Sequence, residues 1–153
     1  METQLYVKNH ILINAPMYKV WDVLTNPAQT KKYMFGCEAI SDWQRGSSLL
    51  WTAQLDGKEM VFVKGEIVDI EPGRYVAYTT IDPNSDMEDI PENYLTVTYK
   101  LLEADGHTML NVTQGDYTKV ADGERRYIEA FNNGEGWNPI LKEIKKIAEE
   151  ETY

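Results

Sequence analysis

Gly134-Glu135-Gly136-Trp137-Asn138-Pro139 interrupts a stretch that otherwise reads as one C-terminal helix from about Asp122 to Glu151. Two glycines and a proline oppose helix here, by roughly 1 kcal/mol for each Gly and about 3 for Pro. Beside a tryptophan they describe a backbone thinned and bent where something fits against it. Gly allows close approach, Pro bends the axis, and Trp supplies a large apolar plate with one polar N–H. Such a segment can form the lid of a cavity or close a core. Tyr127, Ala130, Gly134, Trp137, Leu141, Ile144 and Ala148 recur around it at spacings of three and four. They make one apolar stripe on a helix roughly 40 Å long at about 1.5 Å per residue. In this reading Gly134 permits the close approach and Trp137 projects inward opposite Trp51 or Tyr78.

The stripe needs an opposing surface, and the middle of the chain supplies it. Leu5 to Ile13 carries apolar residues at 5, 7, 11 and 13 with Lys8 and His10 between them, the period of a strand. Asn14-Ala15-Pro16 opens a helix with Pro at its first position, and Asn26-Pro27 opens a second short helix through about Lys32. Candidate strands then follow at 37–43, 48–55, 59–70, 74–82, 93–103 and 107–116. The dipeptides Asp56-Gly57 and Asp105-Gly106 are hairpin signals, and short connections of this kind make consecutive strands antiparallel neighbours.

Alternation assigns one face to Leu49, Trp51 and Ala53, to Val76, Tyr78 and Thr80, to Leu95, Val97, Tyr99 and Leu101, and to Leu110, Val112 and Gln114. The inner face thus includes hydroxyls and an amide, and an unpaired buried polar group costs about 1–3 kcal/mol. Either Tyr78, Tyr99 and Gln114 satisfy one another or a buried water, or they line an accessible cavity. His10 and His107 fall on the outward side of their strands.

Composition narrows the function. At 153 residues and 42% hydrophobic, the chain reads as a single domain, 1–153. It shows no run of eighteen apolar residues and no basic-then-apolar leader at Met1-Glu2-Thr3-Gln4, so no membrane span and a cytoplasmic location are expected. A net charge of −10 argues against a nucleic-acid partner. Cys37 stands alone with two histidines, so neither an internal disulfide nor a cysteine metal cluster is expected, and no cofactor. With no base placed near it, Cys37 reads as a buried or half-buried, inert thiol. Asp82-x-Asn84-x-Asp86 begins like a calcium loop, but Met87 stands where the turn glycine belongs and Asn93 where the bidentate acid belongs. The chain carries no Gly-x-Ser-x-Gly elbow, phosphate loop or His-Glu-x-x-His helix.

Three segments in order carry a resemblance: Ala15-Pro16 with Val20-Trp21-Asp22-Val23-Leu24-Thr25-Asn26-Pro27, then Gly65-Glu66-Ile67 with Pro72-Gly73-Arg74-Tyr75, then Gly136-Trp137 with Leu141. The chain resembles the START-like superfamily, in the branch related to the activator of heat shock protein 90 ATPase. The resemblance implies an α+β helix-grip fold, a curved antiparallel seven-stranded sheet around a long C-terminal helix, with two short helices after the first strand. It implies a cavity between sheet and helix for a hydrophobic small molecule, lipid or polyketide-like. Mapped by position, the ligand-binding residues would be Trp51, Tyr78, Thr80, Tyr99, Gln114, Tyr127 and Trp137, with Tyr33 near the entrance. The alternatives it carries are a chaperone partner, or a polyketide cyclase-like enzyme. Exposed sheet edges and a cavity mouth leave a homodimer open as well.

Overall fold

Short turns join strand to neighbouring strand along most of the chain. The order is β1 (Val7–Ile13), α1 (Met17–Thr25), α2 (Pro27–Tyr33), β2 (Glu38–Ser41), β3 (Ser48–Leu55), β4 (Lys58–Glu71), β5 (Tyr75–Thr80), β6 (Leu95–Ala104), β7 (His107–Gly115), α3 (Gly123–Phe131) and α4 (Asn138–Glu150). The structure, a computed structural model, describes residues 5–85 and 87–150. All seven strands form one antiparallel sheet in the order β1-β7-β6-β5-β4-β3-β2. The expected meander is therefore present, with β1 added beside β7.

Local sequence explains the joints. Asp56-Gly57 and Asp105-Gly106 adopt left-handed φ values of 52°, 78°, 52° and 83°, the two-residue turn that matches the twist of a hairpin. Asn26 caps α2 by accepting from the Ala28 N–H at 3.0 Å, with Pro27 in the first turn. Pro16 sits one position earlier than expected, extended at φ −70° and ψ 159°, and precedes α1 instead of beginning it.

The predicted inner face is the buried face: Leu49, Trp51, Val76, Tyr78, Leu95, Val97, Tyr99, Leu101, Leu110 and Val112 are all buried. Register shifts at Trp51/Thr52 and at Ile67/Asp69 break strict alternation, and Thr52 is buried beside Trp51. Such shifts bend a strand and increase its twist. His10 is exposed; His107, though on the outward face, is half-buried beside the turn. In the acidic loop Asp82 accepts from the Asn84 N–H at 2.8 Å, and Asp89 pairs with Lys64. The second acid of the calcium-like run, Asp86, lies outside the described residues.

The C-terminal segment is two helices where the apolar stripe suggested one. Asn132, Asn133, Gly134 and Gly136 have φ of 46°, 57°, 92° and 48°, and a right-handed helix cannot run through left-handed residues. α4 is 13 residues, or about 20 Å. Pro139 lies in its first turn, where a missing N–H costs nothing. Gly134 is not the close-approach position: a Cβ there would meet only the Phe131 ring, at 4.0 Å. At Gly136 a Cβ would lie 2.4 Å from Asn9 Oδ1 and 2.8 Å from Val7 Cγ1, so this glycine lets the chain press onto β1.

The two helices are held differently. α4 buries Leu141, Ile144 and Ala148 against β1, α1 and α2. α3 fully buries none of its residues. Tyr127 packs edge-on to Tyr117 at 5.6 Å and stacks on Phe131 at 5.5 Å, while Ile128 is exposed. Among the described residues no helix is long and apolar enough to cross a membrane.

Candidate functional site

Because the inner face of the sheet curves away from a short α4 and a shallow α3, a pocket of about 800 Å³ lies between them. That volume falls within the range of about 300–1,000 Å³ typical of small-molecule sites. Its sheet wall comes from Trp51, Ala53 and Leu55 of β3, Phe62 and Val63 of β4, Tyr78 and Thr80 of β5, Val97 of β6 and Gln114 of β7. Opposite stand Glu129 and Ala130 of α3, Asn132, Gly136 and Trp137 of the joint, and Ile140 of α4. Met34, Phe35 and Cys37, between α2 and β2, complete the rim.

Aromatic rings organise the inner end. Trp51 and Tyr78 lie 6.1 Å apart between centroids, Tyr78 and Tyr99 5.4 Å, and Tyr99 and Trp137 6.0 Å, the last two edge-on. The Tyr78 and Tyr99 hydroxyls share a hydrogen bond at 2.7 Å. Burial is the main cause that raises both tyrosine pKa values, so the hydroxyls stay protonated at neutral pH. Burial also raises the Cys37 thiol.

Trp137 is fixed at two points. Its backbone N–H donates to Asn9 Oδ1 at 2.9 Å, and its indole Nε1–H donates to Gln114 Oε1 at 3.0 Å. Val7 pairs with Gln114 across β1 and β7, which sets both acceptors on neighbouring strands of one face. Asn9 Nδ2 also approaches Asn138 Oδ1 and the Glu135 carbonyl, each at 3.4 Å. The indole, 8% exposed, is thus a fixed wall of the pocket.

The structure brings Trp51, Tyr78, Thr80, Gln114 and Trp137 together around this space. Three other residues singled out from the sequence do not reach it. Tyr33 is buried away from the entrance, donating to the Val23 carbonyl at 2.9 Å, and its successors Met34 and Phe35 hold the rim. Tyr99 lies behind Tyr78, and Tyr127 is taken up by Tyr117 and Phe131. Trp137 meets Tyr99, with Tyr78 and Trp51 following in the ring series, instead of facing either directly. Sequence reasoning missed Asn9. A polar residue in phase with Val7, Ile11 and Ile13 was its signal, since period two places it on the inner face. Nothing in the local pattern marks Met34, Phe35 or Phe62 as lining, because that depends on how the sheet curves.

The sequence matches the family described as Activator of Hsp90 ATPase homolog 1-like protein over residues 14–149. A protein from Cytophaga hutchinsonii with a known solution structure is 33% identical, with 98% of this chain and 97% of that one covered at a TM-score of 0.76. Two more distant structures share the fold. An HSP90 activator from Plasmodium falciparum is 17% identical, with 94% and 95% of the chains covered and a TM-score of 0.64. The Aha1 dimer from Colwellia psychrerythraea is 16% identical, with 95% and 96% covered and a TM-score of 0.67. No curated protein matches the sequence. The common architecture is the α+β helix-grip fold.

Proposed function

We propose a function for a chain that belongs to the activator of Hsp90 ATPase homolog 1-like family: it holds an apolar or amphipathic small molecule between the sheet and the α3–α4 joint. The observation that carries this reading is the pocket of about 800 Å³, walled by aromatic and aliphatic side chains with a few fixed polar groups. Trp51, Tyr78 and Trp137 supply contact area, and Thr80, the Tyr78 hydroxyl and the NH₂ of Gln114 orient a polar end. The Tyr78 and Trp137 rings are already held by hydrogen bonds, so less side-chain freedom is lost on binding. The reading places the protein, as one domain, in the cytoplasm.

Native mass spectrometry of protein purified without detergent, with melting curves across a lipid and polyketide panel, tests it. A retained compound, or a ligand-dependent rise in melting temperature that is lost when Ala53→Phe fills the pocket, is expected. No retained mass and no thermal effect across the panel would defeat the reading.

Family membership itself favours a second reading, regulation of an Hsp90-type chaperone. Stimulation of the host chaperone's ATPase at micromolar concentration supports it, and no stimulation removes it. A cyclase-like enzyme has less support, because Tyr78, the tyrosine that lines the pocket, is held protonated and makes a poor base at neutral pH.

A further inference from the structure

The pocket described above has a marked asymmetry of charge. Among the described residues that line it, Glu129 is the one with a formal charge, and no Lys, Arg or His is present. Glu129 stands at the mouth, bonded to Arg125 at 2.8 Å. That arginine also serves Asp122 at 3.3 Å, so two carboxylates share this cation. Asn132, also at the mouth, donates to Glu135 Oε2 at 3.3 Å, which brings a second carboxylate to the rim. The whole chain adds to this with a net charge of −10.

Resting on the small-molecule reading, we propose that the pocket selects neutral or cationic amphiphiles and excludes anionic ones such as fatty acids. An amphiphile can place its head at either end. Pointing inward, a carboxylate would reach a region with no cation, where only neutral hydroxyl and amide groups stand, and burying a charge that meets no opposite charge is costly. The raised pKa values of Tyr78 and Tyr99 show the same resistance of that region to negative charge. Pointing outward, it would meet Glu129 and Glu135. A hydroxyl, ketone or ether oxygen fits the inner end instead. Tyr78 and Tyr99 have two hydroxyl protons and need only one for the bond between them. An ammonium group fits the outer end, beside the rim carboxylates.

Displacement of the uncharged fluorophore N-phenyl-1-naphthylamine by decanol, decylamine and decanoate, at neutral pH and below their micellar concentrations, tests this. Decanol and decylamine are expected to displace the probe at concentrations at least tenfold lower than decanoate. Glu129→Lys, at an exposed position that leaves the core untouched, should narrow the gap between amine and carboxylate. Ala53→Phe should abolish displacement by all three. If decanoate competes as well as decanol, the charge selection is wrong while the pocket reading stands. Displacement that persists in the Ala53→Phe variant places binding on the surface and overturns the selection. If neither the probe nor any of the three compounds binds or shifts the melting temperature, the small-molecule reading falls, and this inference with it.

Discussion

Replacing Gly136 by Ala tests whether the close approach to β1 holds the joint in place. A Cβ would sit 2.4 Å from Asn9 Oδ1 and 2.8 Å from Val7 Cγ1, and both are closer than real Cβ contacts. The residue has φ +48°, where a non-glycine residue costs about 1–2 kcal/mol. Asn9 must also turn away, weakening its 2.9 Å bond to the Trp137 N–H, and a hydrogen bond of this kind contributes about 1 kcal/mol. The sum is about 2–3 kcal/mol, or a fall in melting temperature of about 4–12 °C for a chain of this size. Urea denaturation followed by tryptophan fluorescence measures it, with Asn9→Ala as the partner of a double-mutant cycle. Without the Asn9 amide, Gly136→Ala should cost only about 1–2 kcal/mol, a coupling of about 1 kcal/mol. Equal costs in the two backgrounds would show that the Asn9 contact is not the reason for the glycine. An unchanged midpoint for Gly136→Ala would refute the whole argument.

Tyr78→Phe or Tyr99→Phe alone leaves a buried hydroxyl without its partner and should cost about 1–3 kcal/mol, whereas the double variant should cost less than the sum; denaturation midpoints of the three variants decide it. The Asp116 carboxyl is held below its usual 3.8, first by the Leu5 N–H and further by Thr118. Because its folded pKa is depressed, its stabilisation is present above about pH 4 and is lost as pH falls through the lower folded value. Asp116→Asn should therefore flatten the acid limb of a stability-versus-pH curve, and an unchanged limb would count against this role. Trp137→Phe removes the donor to Gln114 Oε1 while keeping an aromatic wall, and should lower stability by about 1–2 kcal/mol; Gln114→Leu added to it should recover part of the loss, as read by thermal melts.

The sheet was legible in the sequence because its signals are local. Period-two alternation marked the buried face of β3, β5, β6 and β7, and two Asp-Gly pairs fixed hairpin turns. The division of the C-terminal segment was half legible. Glycine and proline marked the break, but Asn132 and Asn133 also entering left-handed conformations carried it further than composition suggests. Which glycine touches β1 depended on Asn9, far from Gly136 in sequence, and no local pattern reports that. Tyr33 and Phe35 show the same limit. Both are aromatic and close in sequence, yet one is buried against the Val23 carbonyl and the other is 88% exposed at φ +55°, a difference set by one turn after α2.

α3 forms part of the pocket wall while fully burying none of its own side chains. The buried core lies at other positions, in the sheet and along α1, α2 and α4. Exposed substitutions away from core contacts usually change stability by no more than about 0.5 kcal/mol. Glu129 and Ile128 can therefore be exchanged with little effect on folding, although Glu129 faces whatever enters the pocket. Within such a scaffold the preference for one guest over another can drift, or be re-engineered, on a helix whose alteration leaves the rest of the molecule standing.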